Sequence, residues 1–141
     1  MSTKARARVV VDTNALISRL LLPRSIPGQA VRKAVADGQL VASDATIMQL
    51  ADVLGRPKFD PLCHNPGAAG VLASIQLFNR IADRIPITRV IQVCRDPKDD
   101  KFLELAVNGA AQLIITGDAD LLALHPFHGI DILTSAGYLS C

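Results

Sequence analysis

Aspartates follow three apolar runs of this sequence. The runs are residues 9–11, 113–115 and 90–94, and the aspartates after them are Asp12, Asp118 and the group of Asp96, Asp99 and Asp100. Short, fully apolar strands are typical of parallel sheets that helices cover on both faces, and ligands bind at the carboxyl ends of such strands. We therefore expect these carboxylates to converge at one edge of a sheet. Converging carboxylates repel one another unless a cation neutralises them.

Each aspartate also has a simpler structural explanation. Asp99 and Asp118 could cap the helices that follow them, and Asp96 before Pro97 is a common turn pair. Capping does not explain why all of them gather at the same edge of one sheet. A hard divalent ion such as Mg²⁺ takes oxygen ligands, and it can activate water and stabilise a phosphoryl transition state. The pattern therefore favours a metal site.

Strand and helix patterns alternate along the whole chain. Strands are predicted at residues 8–12, 40–42, 90–94, 112–116 and 130–133, with an edge segment at 85–87. Helices are predicted at residues 14–22, 29–37, 43–54, 67–84, 99–109 and 119–124, with a proline-rich loop at 56–66 and a final turn at 135–139. This alternation predicts a single α/β domain over residues 1–141, a three-layer α/β/α sandwich with a mostly parallel central sheet. No glycine-rich loop follows the first strand, which argues against nucleotide-binding folds.

Composition narrows the class of protein. At 141 residues the chain has the size of one domain, and half of its residues are apolar. The longest apolar stretches are far shorter than the ~20 residues that span a bilayer, and no signal-peptide core follows the basic start. We expect a cytoplasmic protein with no membrane partner. The three cysteines form no Cys-x-x-Cys pair, so neither a zinc site nor a disulfide framework is indicated.

Charge is distributed unevenly along the chain. The net charge is only +2, but residues 1–95 hold thirteen Lys or Arg and six Asp or Glu, whereas residues 96–141 hold two and seven. The first part is therefore net +7 and the second net −5. A basic surface beside an acidic metal cleft suits a nuclease, because phosphates must be held while the cleft repels them. Ordinary solvated surface charge would give the same asymmetry.

Three segments together resemble one protein family. They are Val-Val-Val-Asp-Thr-Asn at residues 9–14, Leu-Gly-Arg-Pro-Lys-Phe at residues 54–59, and the pair formed by residues 96–106 and 115–122. In this order and spacing they resemble PIN domains of the bacterial toxin-like branch, over nearly the entire chain. The resemblance implies a single-strand ribonuclease that uses Mg²⁺ or Mn²⁺, leaves a 3′-hydroxyl and a 5′-phosphate, and is the toxin of a toxin–antitoxin pair.

The resemblance also implies roles for individual residues. Asp12, Asp99 and Asp118 would be the catalytic metal ligands, and Asp96 and Asp120 would be accessory ligands. Hydrogen bonds to these carboxylates would come from Thr13, Asn14 and Thr116. RNA would be held by basic residues of the first half, which are Arg19, Arg24, Arg56 and Lys58. The implied partners are RNA and a cognate antitoxin, with a homodimer as a further option.

Position 49 departs from the family pattern. The family usually has a glutamate in the helix before the Arg-Pro-Lys-Phe segment, and the matching residue here is Gln49. Glutamine keeps an oxygen ligand but loses the charge, so metal affinity should fall. Asp52, one turn later on the same helix, could compensate. Glu104, the one glutamate of the chain, is most simply a solvated helix residue.

Two alternative functions follow from the same residues. The first is a catalytically weakened PIN-like module that binds RNA or protein, with Gln49 as the sign of lost activity. The second is a phospho-receiver domain, which would need a phosphorylated aspartate after a central strand; Asp44 and Asp60 follow no strong apolar strand. Leu20, Leu21 and Leu22 could serve a dimer or an antitoxin, although core packing is expected for at least two of them.

Overall fold

The first strand is buried on both faces, and the rest of the fold is arranged around it. The computed structural model describes residues 7–55, 67–94 and 96–140. The strands of these segments are β1 (Ala7–Val11), β2 (Gly38–Ala42), β3 (Asp83–Arg84), β4 (Leu113–Ile115) and β5 (Asp131–Leu133). The helices are α1 (Thr13–Leu21), α2 (Ile26–Asp37), α3 (Asp44–Leu54), α4 (Gly67–Ile81), α5 (Asp100–Asn108), α6 (Ala119–Leu122) and α7 (Ser135–Leu139), with a 3₁₀ turn at Pro97–Asp99.

The five strands form one parallel sheet in the order β3-β2-β1-β4-β5. In the register of the central pair, Val9, Val10 and Val11 of β1 lie beside Leu113, Ile114 and Ile115 of β4. The chain runs outward from β1 to β3 and then returns to the other side of β1. The predicted α/β sandwich with a parallel sheet is confirmed.

Alternate residues of β1 point into two separate cores. Val9 and Val11 pack with α1, α2, α3 and α4, whereas Val10 packs with α5, α6 and the interior of β4 and β5. All three valines are buried. Three consecutive buried valines, with side chains on both faces of the sheet, therefore fit only the middle layer of a three-layer fold.

Side-chain caps fix where the helices before the site begin. The Ser25 hydroxyl accepts from the Gly28 N–H at 3.1 Å at the start of α2. At the start of α3, Ser43 and Thr46 form a capping box in which each side chain accepts from the other's backbone N–H. The predicted cap at Ser43 is thus confirmed, and it sets which face of α3 meets the sheet edge.

The predicted strand at residues 90–94 is wrong. Residues 85–94 are irregular, and Val90 and Val93 expose 69% and 51% of their surface. Their apolar pattern is typical of a buried strand, but the N–H groups of residues 88, 89, 91, 93 and 94 bind side chains of α5. Only the first residue of the segment, Ile85, donates its N–H to a strand, at the Ala42 carbonyl of β2. The edge strand lies at Asp83–Arg84, just before the predicted segment at 85–87, where the Arg8 guanidinium pairs with Asp83.

Three polar residues, one turn apart on α5, hold that segment. Asp100 Oδ1 accepts from the N–H groups of Val93 and Cys94 at 3.2 and 2.8 Å. Glu104 Oε2 accepts from the Ile91 N–H at 3.0 Å, and Asn108 Oδ1 accepts from the Thr88 and Arg89 N–H groups at 3.0 and 2.9 Å. Glu104 is therefore a structural acceptor, and the prediction of a merely solvated residue is wrong.

The predicted packing of the leucines on α1 is also wrong. Only Leu21 packs against the core, whereas Leu20 and Leu22 are exposed. The predicted loop at residues 56–66 lies outside the described residues. Within the described segments, no helix is both long and apolar enough to cross a membrane.

Candidate acidic site

The site lies where the strand order reverses. β1 and β4 are neighbours in the sheet, but the chain leaves them in opposite directions. In open parallel sheets the loops after such a pair diverge and leave a crevice at the carboxyl ends of the strands. Asp12 follows β1, and Thr116, Gly117 and Asp118 follow β4, so topology alone brings both loops to this crevice.

Asp12 joins the two loops. It is only 8% exposed. Its Oδ1 caps α1 by accepting from the Ala15 N–H at 2.8 Å, and its Oδ2 accepts from the Thr116 hydroxyl at 2.7 Å and the Gly117 N–H at 3.2 Å. These three hydrogen bonds hold the carboxylate in a fixed orientation between the two loops.

Asp118 is oriented by the same loop. Thr116 Oγ1 accepts from the Asp118 N–H at 3.1 Å, and Asp118 Oδ1 in turn accepts from the Asp120 N–H at 2.9 Å. Asp118 is therefore the N-cap of α6, as its position in the sequence suggested. Capping occupies one carboxylate oxygen with a single bond, so it leaves lone pairs available for another ligand.

Asp99 completes the acidic cluster. One carboxylate oxygen from each of Asp99, Asp118 and Asp120 lies within 4.8 Å of the others. Asp99 is at the N-cap of α5, but its side chain makes no capping hydrogen bond. Burial, its contact with Asp118 and the charges of Asp118 and Asp96 raise the pKa of Asp99 to about 6, and Lys101 only partly opposes the rise.

The carboxylates of Asp12, Asp99 and Asp118 line one cavity of about 360 Å³. We call it the acidic cavity; its other lining residues are Thr13, Asn14, Gln49, Val53, Phe102, Thr116 and Leu121. Gln49 projects from α3, and its Oε1 is buried without a hydrogen-bond partner among the described residues. A buried amide oxygen without a donor is costly, so this atom is available to a ligand in the cavity.

The structure brings most of the predicted site residues together. The acidic cavity is lined by Asp12, Asp99, Asp118, Thr13, Asn14, Thr116 and Gln49. Through its carboxylate, which clusters with those of Asp99 and Asp118, Asp120 lies next to this cavity. Asp96 and Asp52 do not line it. Asp96 is exposed and accepts from the Lys98 N–H at 3.0 Å, and Asp52 is exposed on α3.

The predicted RNA-binding residues lie elsewhere or are not described. Arg19 lines an apolar groove between α1, α2 and α4, and Arg24 is exposed in the loop between α1 and α2. Arg56 and Lys58 lie outside the described residues. The acidic cavity itself has no lysine or arginine among its described lining residues.

The polar residues of α5 that hold the segment before Asp99 were not predicted from the sequence. Asp100 is buried next to Asp99; burial opposes its ionisation, but hydrogen bonds from Cys94 and Val93 outweigh that effect and lower its pKa. The same contact and burial raise the pKa of the Cys94 thiol to about 12, so Cys94 is a packed thiol rather than a nucleophile. The available signal was the polar spacing of Asp100, Glu104 and Asn108 on an otherwise apolar helix.

The donor set is suited to a hard divalent cation. It offers carboxylate and amide oxygens and no described sulfur or imidazole ligand. A cation would offset the mutual repulsion that raises the pKa of Asp99, and it would give Gln49 Oε1 a partner. The acidic cluster can therefore hold such an ion.

Comparison with known families and proteins agrees with this geometry. The PIN domain family matches residues 8–120, and the chain belongs to that family. It is 31% identical over 123 residues to the uncharacterized protein MJ1680 of Methanocaldococcus jannaschii, over 86% of this chain and 77% of that protein. The phospho-receiver alternative is therefore wrong.

Solved structures share the fold. VapBC2 from Rickettsia felis, bound to a DNA fragment from its promoter, superposes with a TM-score of 0.60 at 7% identity, over 90% of this chain and 98% of that one. VapBC-5 from Mycobacterium tuberculosis, of the VapBC family of toxin–antitoxin systems, gives a TM-score of 0.56 at 19% identity, over 91% and 98%.

The raised pKa of Asp99 predicts a pH-dependent effect of removing its charge. Between its ordinary value of 3.8 and about 6, the folded chain binds the Asp99 proton more tightly than the unfolded chain. The contribution of Asp99 to the free energy of unfolding therefore falls as pH rises through this window. In EDTA, Asp99→Asn should melt at a higher temperature than wild type near neutral pH, and the difference should shrink toward about pH 4.

The measurement is a series of thermal melts of both proteins across this pH range. Asp37→Asn is the matched control, because Asp37 is exposed at the end of α2 and lies outside the cavity and the acidic cluster. A difference between Asp99→Asn and wild type that stays constant with pH would contradict the raised pKa.

Proposed function

We propose that this chain is a Mg²⁺- or Mn²⁺-dependent endoribonuclease that hydrolyses single-stranded RNA. One observation carries the proposal: carboxylates of Asp99, Asp118 and Asp120 converge in a crevice that also holds the unpartnered Gln49 oxygen. Family membership supports it, because the PIN family is generally a family of nucleases.

Each residue has a distinct task in this proposal. Asp99, Asp118 and Asp120 would hold the ion, and Asp12 would contribute a carboxylate from the other loop, fixed by Thr116 and the Gly117 N–H. Such an ion supplies polarisation of the phosphodiester and activation of the attacking water. Val53, Phe102 and Leu121 form the apolar part of the cavity lining.

Basic residues outside the cavity would hold the RNA backbone. Lys101 is close enough to lower the pKa of Asp99, and its ammonium donates to the Lys98 carbonyl. Arg24 is exposed in the loop between α1 and α2, and Arg56 and Lys58 remain proposals from the sequence. Arg19 is the weakest of the proposed contacts, because it lines the groove and not the cavity.

We also propose an antitoxin partner. The fold neighbours come from VapBC toxin–antitoxin systems. An apolar groove of about 550 Å³ lies between α1, α2 and α4, flanked by Arg19 and Arg32 and bordered by the exposed Leu20, Leu77 and Ile81. A segment with apolar and acidic residues would fit it. A homodimer is the alternative use of the same side chains.

A non-catalytic RNA- or protein-binding module remains the second candidate. Gln49 favours it, because a neutral amide stands where a fourth carboxylate would strengthen metal binding. The two candidates differ in turnover: a module would bind RNA without cleaving it.

The cleanest test of catalysis is Asp99→Asn. Asp99 makes no capping bond, so the substitution removes a ligand charge without breaking a helix cap. We expect at least a hundredfold loss, on the order of 3 kcal/mol of transition-state stabilisation, in Mn²⁺-dependent cleavage of a labelled single-stranded RNA. Near-wild-type cleavage by a folded Asp99→Asn protein would reject the proposal.

Asp12→Asn serves as a contrasting variant. It should also abolish cleavage, but it should lower the free energy of unfolding by about 1–3 kcal/mol, because an amide nitrogen cannot accept from Thr116 and Gly117. Asp37→Asn is the control that should retain cleavage, since Asp37 is exposed at the end of α2 and lies outside the cavity lining.

Gln49→Glu tests whether the amide faces the ion. The carboxylate would add a charged ligand beside Asp99 and Asp118, so Mn²⁺ should bind at least about tenfold more tightly, and any RNA cleavage should rise. Without metal, the added anion should lower the melting temperature. Isothermal titration with Mn²⁺ and thermal melts in EDTA measure the two effects separately.

The matched control is Gln76→Glu, which places the same charge on an exposed position of α4. It should change neither Mn²⁺ affinity nor cleavage. If Gln49→Glu leaves Mn²⁺ affinity unchanged, its side chain does not contact the ion. If wild type cleaves at full rate and Asp52→Asn abolishes cleavage, then Asp52 has the role assigned to Gln49.

A further inference from the structure

A second cavity opens beside the acidic cavity and shares three of its residues. It has a volume of about 520 Å³, within the range of small-ligand sites. We call it the side pocket. It is lined by Asp12, Asn14, Ala15, Ser18, Pro27, Gly117, Asp118, Thr134, Ser135 and Ala136, of which Asp12, Asn14 and Asp118 also line the acidic cavity. A group held at the shared aspartates would therefore lie next to the side pocket.

The lining of the side pocket combines hydroxyl, amide and carboxylate groups with small apolar residues, and no positively charged residue is among its described members. Its described charged residues are only the two shared aspartates, so it does not attract a phosphate. Ala15, Gly117 and Ala136 are small and leave room for a ring. A neutral, hydroxyl-bearing group is what this lining would accept.

Several hydroxyl and amide groups of the side pocket have no assigned partner. Within the described segments, the hydroxyls of Ser18 and Ser135 and the side-chain amide of Asn14 make no hydrogen bond, and Ser18 and Ser135 are half-buried. The Thr134 hydroxyl is different, because its oxygen accepts from the Gly137 N–H at 2.9 Å. Ser18 belongs to α1, and Ser135 is the first residue of α7.

We propose that the side pocket binds the ribose next to the scissile phosphate and gives the chain its preference for RNA over DNA. The 2′-hydroxyl both donates and accepts, so it can pair with the Ser18 and Ser135 hydroxyls, and deoxyribose cannot. This inference rests on the proposed nuclease function, since that function places a phosphodiester at the carboxylates.

The test compares an RNA oligonucleotide with the DNA oligonucleotide of the same sequence, both cleaved in Mn²⁺. The readout is the ratio of kcat/KM for RNA to that for DNA, because damage to the metal site lowers both values and cancels. Ser18→Ala and Ser135→Ala should each lower the ratio roughly 3- to 10-fold, the range of one hydrogen bond between neutral groups. Ser140→Ala, which removes an exposed hydroxyl bonded to the Ala136 carbonyl, should not change it.

A binding measurement separates this inference from the proposed function. Fluorescence anisotropy of the two labelled oligonucleotides with Asp99→Asn reports the RNA preference without cleavage. If wild type cleaves neither oligonucleotide but the preference is present and falls in the Ser18→Ala/Ser135→Ala variant, the nuclease proposal fails and the ribose site stands. If wild type cleaves RNA and the double variant keeps the full RNA preference, or wild type shows none in either assay, the ribose site is rejected.

Discussion

The Asp12 carboxylate is the interaction on which the site depends. One of its oxygens begins α1, and the other is held by the Thr116 hydroxyl and the Gly117 N–H after β4. Residues 12 and 116 are far apart in sequence but follow adjacent strands, so this contact fixes the distance between the two loops of the crevice. The position of Asp118, and through it that of the acidic cluster, follows from this link. Asp12 therefore both caps α1 and lines the acidic cavity.

Side chains of α5 hold the irregular segment that precedes Asp99. The 3₁₀ turn that carries Asp99 is preceded by an irregular segment, which among the described residues bonds to the sheet only through the Ile85 N–H. Asp100, Glu104 and Asn108 replace the missing sheet bonds with side-chain acceptors, at intervals of one helical turn. Asp99 therefore sits between a fixed helix start and a fixed segment. This arrangement keeps its carboxylate beside Asp118 although the two repel each other.

The sequence predicted the parallel sheet and most of the acidic cavity because both follow from local patterns. Apolar runs such as residues 9–11 are compatible with few environments, and strand ends bring their aspartates together by topology. The prediction of a strand at residues 90–94 was wrong, because an exposed segment that hydrogen-bonds to side chains of α5 has the same apolar pattern as a buried strand. The exposure of Leu20 and the unpartnered Gln49 oxygen depend on how α1 and α3 pack, which no single segment encodes.

The proposed function requires that the carboxylates at the carboxyl edge of this sheet hold a divalent ion. Anomalous diffraction from crystals soaked in Mn²⁺ tests it most directly. We expect an anomalous peak within metal–oxygen bonding distance, about 2.0–2.6 Å, of carboxylate oxygens of Asp99 and Asp118, with Gln49 Oε1 facing it. Absence of a peak at saturating Mn²⁺, or a peak bound only by residues outside the acidic cavity, would contradict the proposed metal site.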